Sequence, residues 1–384
     1  MTTRAYTIAG VIAGIFLVSS VLVSAMSVPA YANIALSGQG ATFPDPLIQK
    51  WIDEYEPVRP FADISYTPLG SGAGITGITN ELVNWGASEA PLSVSEQATF
   101  ATHGTPLTMP ITVGTVTVAI NNPNLGNNEL RLTGKVIGDI FLGKIKTWNN
   151  NAIKGLQTPE VQAKLTGDTI VTVHRCDSSG TTFVFTEYLT KTNTQWASQV
   201  GTSKAPTWPA AATQICGDGN AGVASQVEST NFSLGYLELS FAVTEGIDTA
   251  QVKNKAGKYI SPSLSSGKAA ITNYVGQNPL PKGDESWAGV STTNAGGGGS
   301  YPITSFSYYI FFEESKDNAQ FASLAEAKEF KKWLNWDNGP GQGFADDLTY
   351  VPLPFSVKQN NINTLKMMTW NGVQIAVAPT GPPS

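Results

Sequence analysis

The segment at residues 174–185 constrains the fold more than any other part of the chain. It places Arg175 and Asp177 just ahead of a Ser-Gly-Thr corner at 179–181, and this corner opens an apolar stretch of helical character. A serine at such a position caps the helix, the glycine lets a ligand approach the backbone, and the first helical N–H groups lack partners within the helix. The arginine adds a planar fork of donors that a nearby carboxylate can orient. The corner therefore favours binding of an oxyanion.

Two further small-residue corners precede segments with helical periodicity. Residues 38–44 place Thr42 and Phe43 ahead of a proline suited to a first helical turn. Residues 69–75 place Ser71 where we expect it to cap a second helix. One such corner is typical of an ordinary helix start, but three hydroxyl-bearing helix starts suggest one shared ligand.

These corners resemble stretches of the PstS-type phosphate-binding proteins, a periplasmic-type solute-binding family of phosphate ABC transporters. The matching stretches run in family order at residues 38–44, 70–74, 86–92, 140–148, 174–185, 235–238 and 301–304. The resemblance implies an α/β fold of the two-lobed periplasmic-binding-protein (Venus-flytrap) type. In that fold, mixed sheets are flanked by helices and a central cleft holds the ligand.

The same resemblance implies which residues bind phosphate. The expected ligands are Thr42, Phe43, Ser71, Glu89, Arg175, Ser179, Gly180 and Thr181. Asp177 is expected behind them, as the partner that orients Arg175. The alternative for Arg175 and Asp177 is a surface ion pair of little energetic value.

Glu89 departs from the family pattern, which has an aspartate at this position. A buried carboxylate can accept the proton that phosphate still carries near neutral pH, whereas sulfate offers it only acceptors. A site built around one polar group can reject a ligand that lacks the counterpart by about 10⁴-fold or more. Glu89 therefore predicts rejection of sulfate, although its extra methylene requires the carboxylate to fold back or the backbone to retreat. The alternative is that Glu89 faces away, into a structural ion pair.

The net charge excludes capture of the anion by a broadly positive surface. The chain carries −6, and losing residues 1–32, whose one charged group is Arg4, takes it from −6 to −7. We expect short, directed hydrogen bonds in a cleft shielded from water to hold the ion. Nucleic acid is not an expected partner.

The first 32 residues have the pattern of a secretory signal. Arg4 is followed by an uncharged apolar run at about residues 5–28, and Ala30 and Ala32 form an Ala-x-Ala cleavage site. The protein is therefore expected outside the cytoplasm, in a periplasm or at the cell surface. Because the apolar run is longer than a usual signal core, retention as an N-terminal membrane anchor stays open.

The chain contains two cysteines, Cys176 and Cys216. In an oxidising compartment an isolated pair is commonly bridged, so the export signal and the even count predict a disulfide. It would brace the Arg175 corner against the loop at 217–220. Two buried free thiols are the alternative.

The chain is long enough for two cores, with 384 residues of which 41% are hydrophobic. After the signal at 1–32, we expect residues 33–110 to form the first part of lobe I and residues 111–300 to form lobe II. Residues 301–384 would return to complete lobe I. The strand-like runs at 112–121 and 301–312 are expected to cross between the lobes, so that ligands on both lobes couple binding to closure.

The resemblance implies capture of inorganic phosphate and its delivery to a membrane-embedded ABC permease. We expect a monomer that is not an enzyme and that uses no cofactor or metal. A phosphate-ester hydrolase is one alternative, but the chain offers only His103 and His174 and no metal-ligand cluster. A triad of Ser179, His174 and Asp177 is implausible because these residues crowd one corner. The other alternative is an envelope structural protein that retains the binding fold.

Overall fold

The computed structural model describes residues 33–377. The predicted export signal at residues 1–32 lies outside the described residues. Between residues 33 and 377, no helix has both the length and the apolar character that a membrane crossing requires.

Strands and helices alternate along most of the described chain. The strands are β1 (Ile34–Gly40), β2 (Ala62–Thr67), β3 (Trp85–Ser88), β4 (Pro106–Asn121), β5 (Arg131–Leu132), β6 (Val171–Arg175), β7 (Gln214–Gly217), β8 (Ser233–Glu238), β9 (Asp248–Thr249), β10 (Gln251–Lys253), β11 (Tyr259–Ile260), β12 (Thr304–Phe312), β13 (Thr369–Trp370) and β14 (Val373–Gln374). The helices are α1 (Asp45–Tyr55), α2 (Ser71–Thr79), α3 (Val94–Phe100), α4 (Gly134–Phe141), α5 (Asn151–Lys154), α6 (Pro159–Lys164), α7 (Gly180–Thr192), α8 (Thr194–Gln199), α9 (Gly219–Ser229), α10 (Leu239–Thr244), α11 (Leu264–Val275), α12 (Leu324–Asn338) and α13 (Phe355–Met367).

The main sheet is mixed. Its strand order is β2-β1-β3-β12-β4-β8-β6-β7, with β9 also paired to β4. The pairs β1–β2, β1–β3, β6–β7 and β6–β8 are parallel, whereas β12 and β4 are antiparallel to their neighbours. Two parallel groups of strands are thus joined through a central antiparallel pair.

Strand β4 links the two groups. Its residues up to Thr115 pair with β12, and its residues from Val116 onward pair with β8. The strand is buried along almost its whole length, as its nearly continuous apolar and β-branched sequence predicts. The two predicted crossings are therefore strands, β4 beginning at Pro106 and β12 at Thr304. The described residues belong to one compact unit, and the lobe boundaries near 110 and 300 stay predictions.

The strand directions bring the carboxyl ends of the two groups toward each other. Strand β3 runs in the same direction as β4, because both are antiparallel to β12. Strand β8, with its parallel partner β6, runs in the opposite direction. Ligands of open α/β sheets bind outside the carboxyl ends of strands, so this meeting point is the expected site.

An aromatic core holds the first group of strands against its helices. Trp85 stacks on Phe330 with ring centroids 5.6 Å apart, and Tyr55 meets Trp333 edge-on at 5.1 Å. All four rings are buried, and burial of a large apolar side chain contributes about 2 kcal/mol. This packing fixes α1 on the sheet, and with it the loop that carries Thr42.

Candidate anion-binding site

The Ser-Gly-Thr corner begins α7 as the sequence predicts. Ser179 is the N-cap, and its Oγ accepts a hydrogen bond of 3.1 Å from the backbone N–H of Thr182. The predicted disulfide between Cys176 and Cys216 is present, with Cα atoms 5.2 Å apart. It joins the chain just after β6 to the last residues of β7, so both strand ends are held beside the corner.

Arg175 is buried and is fixed by three hydrogen bonds. Its Nε donates to Asp177 Oδ1 at 2.6 Å and its Nη2 donates to Asp177 Oδ2 at 2.5 Å. The remaining Nη1 donates to Thr181 Oγ1 at 3.3 Å, and the Asp177 carboxylate also accepts from the backbone N–H of Gly219. The Arg175 side chain is 1% exposed, so the surface ion pair considered for these residues is wrong.

Ser71 lies in the site, but the prediction that it caps its helix is wrong. It is the first residue of α2, and the cap position is Gly70, with φ of 93° and no side-chain cap. Gly70 lies so close to Asp177 that a Cβ there would be 2.3 Å from the carboxylate. With glycine at the cap, the Ser71 hydroxyl is free to accept from the backbone N–H of Gly180 at 2.9 Å.

Glu89 follows β3 and turns inward. Its Oε1 accepts from Ser307 Oγ at 2.7 Å, and its Oε2 accepts from Ser71 Oγ at 3.2 Å. Burial raises the pKa of Glu89 to about 7, against the lowering effects of the Ser307 bond, the Arg175 charge and the Ser71 bond. Because the carboxylate contacts hydroxyls rather than a cationic side chain, the alternative of a structural ion pair for Glu89 is wrong.

Gly180 closes over this carboxylate. A Cβ at Gly180 would lie 2.3 Å from Glu89 Oε2 and 2.4 Å from Ser71 Oγ. Only glycine fits between the two groups, and its N–H is thereby brought within reach of an oxygen bound beside Glu89.

Thr42 and Phe43 connect the α1 corner to the opposite group of strands. Thr42 Oγ1 accepts from the backbone N–H of Asn220 at 3.2 Å and from Asn220 Nδ2 at 3.0 Å. Asn220 Nδ2 also lies 3.3 Å from Thr181 Oγ1. Phe43 is fully buried, and its carbonyl accepts from the Tyr350 hydroxyl at 2.6 Å.

The structure therefore brings the predicted residues of all three corners together. Ser71, Glu89 and Gly180 form one set of contacts, and Arg175, Thr181, Asn220 and Thr42 form the other. The helix starts of α2, α7 and α9 lie among these contacts, and each N-terminus carries roughly half a positive charge. Among residues 33–377, no group of three or more His, Cys, Asp or Glu side chains is placed to hold a metal ion.

Sequence reasoning missed Asn220 and Ser307. Asn220 is the second residue of α9, which follows Gly217 and begins at Gly219. This is a fourth helix start made of small residues, and the pattern was available in the sequence. Ser307 is buried in strand β12, between Phe306 and a run of aromatic and apolar residues at 308–312. A polar group in such a strand requires a hydrogen-bond partner, but its partner Glu89 lies 218 residues away in the chain.

This chain is similar to known proteins over most of its length. A family model described as a PBP superfamily domain matches residues 27–336. A phosphate-binding protein PstS of Methanocaldococcus jannaschii is 35% identical over 342 residues, which cover 88% of this chain and 87% of that protein. This chain belongs to the PstS family.

A second relative supports this membership, and one solved structure supports the fold. A PstS protein of Xylella fastidiosa is 36% identical over 326 residues, covering 84% of this chain and 82% of that protein. The structure of a high-affinity periplasmic phosphate-binding protein, PfluDING, bound with phosphate matches with a TM-score of 0.66 at 21% identity. The match covers 90% of this chain and 100% of that one. The predicted PstS resemblance and the two-lobed α/β fold are thereby confirmed.

Proposed function

We propose that this protein captures inorganic phosphate outside the cytoplasm and delivers it, as a monomer, to a membrane-embedded ABC permease. The observation that carries the proposal is the buried Glu89 carboxylate, set among hydroxyls and helix N–H groups opposite the fixed Arg175. The names of the PstS relatives support phosphate as the ligand. The sequence pattern at residues 1–32 supports export.

The proposed ligands are Thr42, Phe43, Ser71, Glu89, Arg175, Ser179, Gly180 and Thr181. Several of these residues are hydrogen-bonded to one another, because Gly180 N–H donates to Ser71 Oγ and Arg175 Nη1 donates to Thr181 Oγ1. A charged phosphate oxygen is a stronger acceptor than a hydroxyl. On binding it takes over these acceptor positions, and the hydroxyls become donors to the anion.

Glu89 supplies the selectivity in this proposal. With a pKa raised to about 7, its carboxyl and the bound phosphate share one proton near neutral pH, whichever of the two groups holds it. Sulfate carries no proton to share, so above about pH 7, where Glu89 is ionised, two anionic oxygens would face each other in a buried site. That repulsion is the reason to expect rejection of sulfate.

A binding role is favoured over hydrolysis by the contacts of the histidine nearest the site. The His174 ring stacks on Trp208 with centroids 4.5 Å apart, and its Nδ1 lies 3.0 Å from the Arg175 carbonyl oxygen. The Ser179 hydroxyl is engaged as a helix cap. These contacts leave Ser179 without the adjacent base that an activated nucleophile requires.

Isothermal titration calorimetry of the purified protein with phosphate and with sulfate tests the proposal. We expect one phosphate per chain and, at about pH 9, where Glu89 is ionised, an affinity for sulfate about 100-fold lower than that for phosphate. Absence of phosphate binding would favour the envelope structural protein instead. Hydrolysis of a chromogenic phosphate ester above background would favour the hydrolase.

A further inference from the structure

A second buried carboxyl group lies behind the anion-binding site. Glu238 ends β8 and is fully buried, and its Oε2 accepts from the backbone N–H of Ser240 at 2.7 Å. The same oxygen is hydrogen-bonded to Ser240 Oγ. Ser240 Oγ lies 2.9 Å from the Tyr350 hydroxyl, which donates to the Phe43 carbonyl at 2.6 Å. These four residues form a continuous chain of oxygen atoms, the buried relay.

The number of protons available to the relay depends on Glu238. Three oxygen–oxygen contacts in sequence need three protons, and the Phe43 carbonyl can only accept. Ser240 and Tyr350 each supply one proton. The third is present only when the Glu238 carboxyl is protonated, because an ionised carboxylate donates nothing. With Glu238 ionised, one of the three contacts must join two oxygens with no proton between them.

The surroundings of Glu238 disfavour its charge. Its Oε1 has no hydrogen-bond partner among the described residues, and a Cβ on Gly114 of β4 would lie 3.2 Å from it. That same Cβ would overlap the Phe43 ring, so the free oxygen lies near apolar atoms. Burial raises the pKa of Glu238 to about 8, although the hydrogen bonds from Ser240 lower it.

Few charged or titratable groups face Glu238 from the elements packed around it. Among residues 33–377, the titratable side chain in contact with it is Tyr350, whose own pKa is raised by burial and, in smaller part, by the charges of Glu238 and Asp45. Strand β4 contributes Gly114 and the paired Val116. Helix α9 contributes the uncharged Asn220, whose Oδ1 accepts from the Glu238 backbone N–H at 3.0 Å.

The relay is tied to the anion-binding site at both ends. At one end it holds the carbonyl of Phe43, next to Thr42. At the other end the backbone N–H of Glu238 donates to Asn220 Oδ1. The Asn220 side chain in turn donates to the hydroxyls of Thr42 and Thr181. Glu238 and Tyr350 therefore touch no atom predicted to bind phosphate, because Tyr350 bonds to the Phe43 carbonyl and not to its N–H. Any effect that they have on phosphate is exerted through position.

We propose that the buried relay of Glu238, Ser240, Tyr350 and Phe43 is a proton-dependent latch that keeps the Thr42–Phe43 corner in its binding position. The inference rests on the proposed capture of phosphate. While Glu238 carries its proton, the three contacts are complete and phosphate leaves slowly. When Glu238 loses the proton, one contact fails, the corner loosens and phosphate leaves faster.

Glu238→Gln provides the test, because its amide does not titrate in this range and its contacts with Ser240 are therefore the same at every pH. The phosphate dissociation rate is measured by stopped-flow tryptophan fluorescence from about pH 6.5 to 9.5 on the wild type and on this variant, and the ratio of the two rates is taken at each pH. Titration of phosphate and of Glu89 acts on both proteins and cancels in the ratio. We expect the wild-type to variant ratio to rise about fivefold between the low and the high end of this pH range, the effect of one lost hydrogen bond.

Two tyrosine variants serve as a matched pair. Tyr350→Phe removes the central hydroxyl of the relay, and we expect dissociation about tenfold faster than for the wild type at pH 7. Tyr309→Phe removes a buried hydroxyl that has no hydrogen-bond partner among the described residues, so the rate should stay within about twofold. Equal rates for the two variants, or a wild-type to Glu238→Gln ratio that is flat with pH, would overturn the latch.

A readout without phosphate separates this inference from the proposed function. The infrared difference spectrum between wild type and Glu238→Gln at pH 7 should contain the band of a protonated carboxyl group. Its absence would overturn the latch. If the band is present and calorimetry detects no phosphate binding, the proposed function fails while the protonation of the relay is upheld.

Discussion

At the residue scale, the site depends on how a glutamate is held where the family pattern has an aspartate. Both carboxylate oxygens of Glu89 accept hydrogen bonds, one from Ser307 of β12 and the other from Ser71 of α2. Gly180 lies directly against it. The longer side chain is thus accommodated by two hydroxyls and a residue without a side chain, and it turns inward rather than toward a cation.

Replacing Glu89 by glutamine should reverse the preference between the two anions. At about pH 9 the Glu89 carboxylate is ionised, whereas the amide donates to an acceptor-only ion such as sulfate. At this pH we expect Glu89→Gln to bind sulfate about 100-fold more tightly than the wild type and phosphate about tenfold more weakly. Calorimetric titrations with both anions give these changes. Glu238→Gln, a change at the other buried glutamate near the site, is the control and should leave the ratio of the two affinities within about twofold.

The same experiment has a defined pH dependence. The raised pKa of about 7 means that Glu89 gains its proton as the pH falls through neutrality and then acts as a donor. Sulfate binding by the wild type should therefore strengthen below about pH 7, whereas that of Glu89→Gln should not change. Sulfate binding that is independent of pH in both proteins would refute the role of Glu89.

Local sequence patterns predicted some residues of the site better than others. The cap at Ser179 and the contact between Arg175 and Asp177 are short-range and could be predicted. The helix-cap role predicted for Ser71 is wrong because a contact with Gly180, 109 residues away, replaces the local cap. Ser307 was missed for the same physical reason, since its partner is distant in the chain.

At the element scale, the site is assembled from strand ends and helix starts. Strands β6 and β7 end side by side, and the disulfide joins them just before α7 and α9 begin. One strand end delivers Arg175 and Asp177, and the other delivers Gly219 and its N–H bond to Asp177. The bridge therefore holds two parts of one hydrogen-bonded cluster in register.

Removing the bridge with Cys176→Ser and Cys216→Ser together should lower both stability and affinity. The cysteines are 40 residues apart, and closing a loop of that size is worth about 4 kcal/mol in the chain-entropy model. We expect the free energy of unfolding to fall by about that amount and phosphate affinity to fall by about tenfold. Urea titration monitored by circular dichroism measures the first quantity, and calorimetry measures the second.

Reduction of the wild type is the matched control for this double substitution. A dithiol reductant should shift the unfolding midpoint of the wild type toward that of the variant and leave the variant unchanged. A variant as stable as the oxidised wild type would show that the bridge does not brace the corner.

Elements with a strong pattern were the most predictable. The run at 112–121 predicted a strand, and it lies in β4, which is buried on both faces over nearly its full length. The order of pairing in the sheet could not be derived from such runs, because β4 finds β12 and β8 across more than a hundred residues. The family resemblance implied a two-lobed fold with mixed sheets, but it did not supply this order.

At the scale of the whole molecule, a chain of net charge −6 brings one buried arginine, Arg175, and the N-termini of α2, α7 and α9 to one point. The carboxyl ends of two opposed strand groups meet there, and their loops exchange hydrogen bonds between Thr42 and Asn220 and between Ser71 and Gly180. The overall charge does not attract an anion, so the account requires that directed hydrogen bonds from both groups enclose it.

The crystal structure of the phosphate complex tests this requirement most directly. The account predicts one phosphate enclosed between the two strand groups, with oxygens about 2.5–3.2 Å from Arg175, Thr42, Ser71 and the N–H groups at the start of α7, and with one oxygen against Glu89. A phosphate bound elsewhere, or bound by one strand group without contact to Glu89, would contradict it.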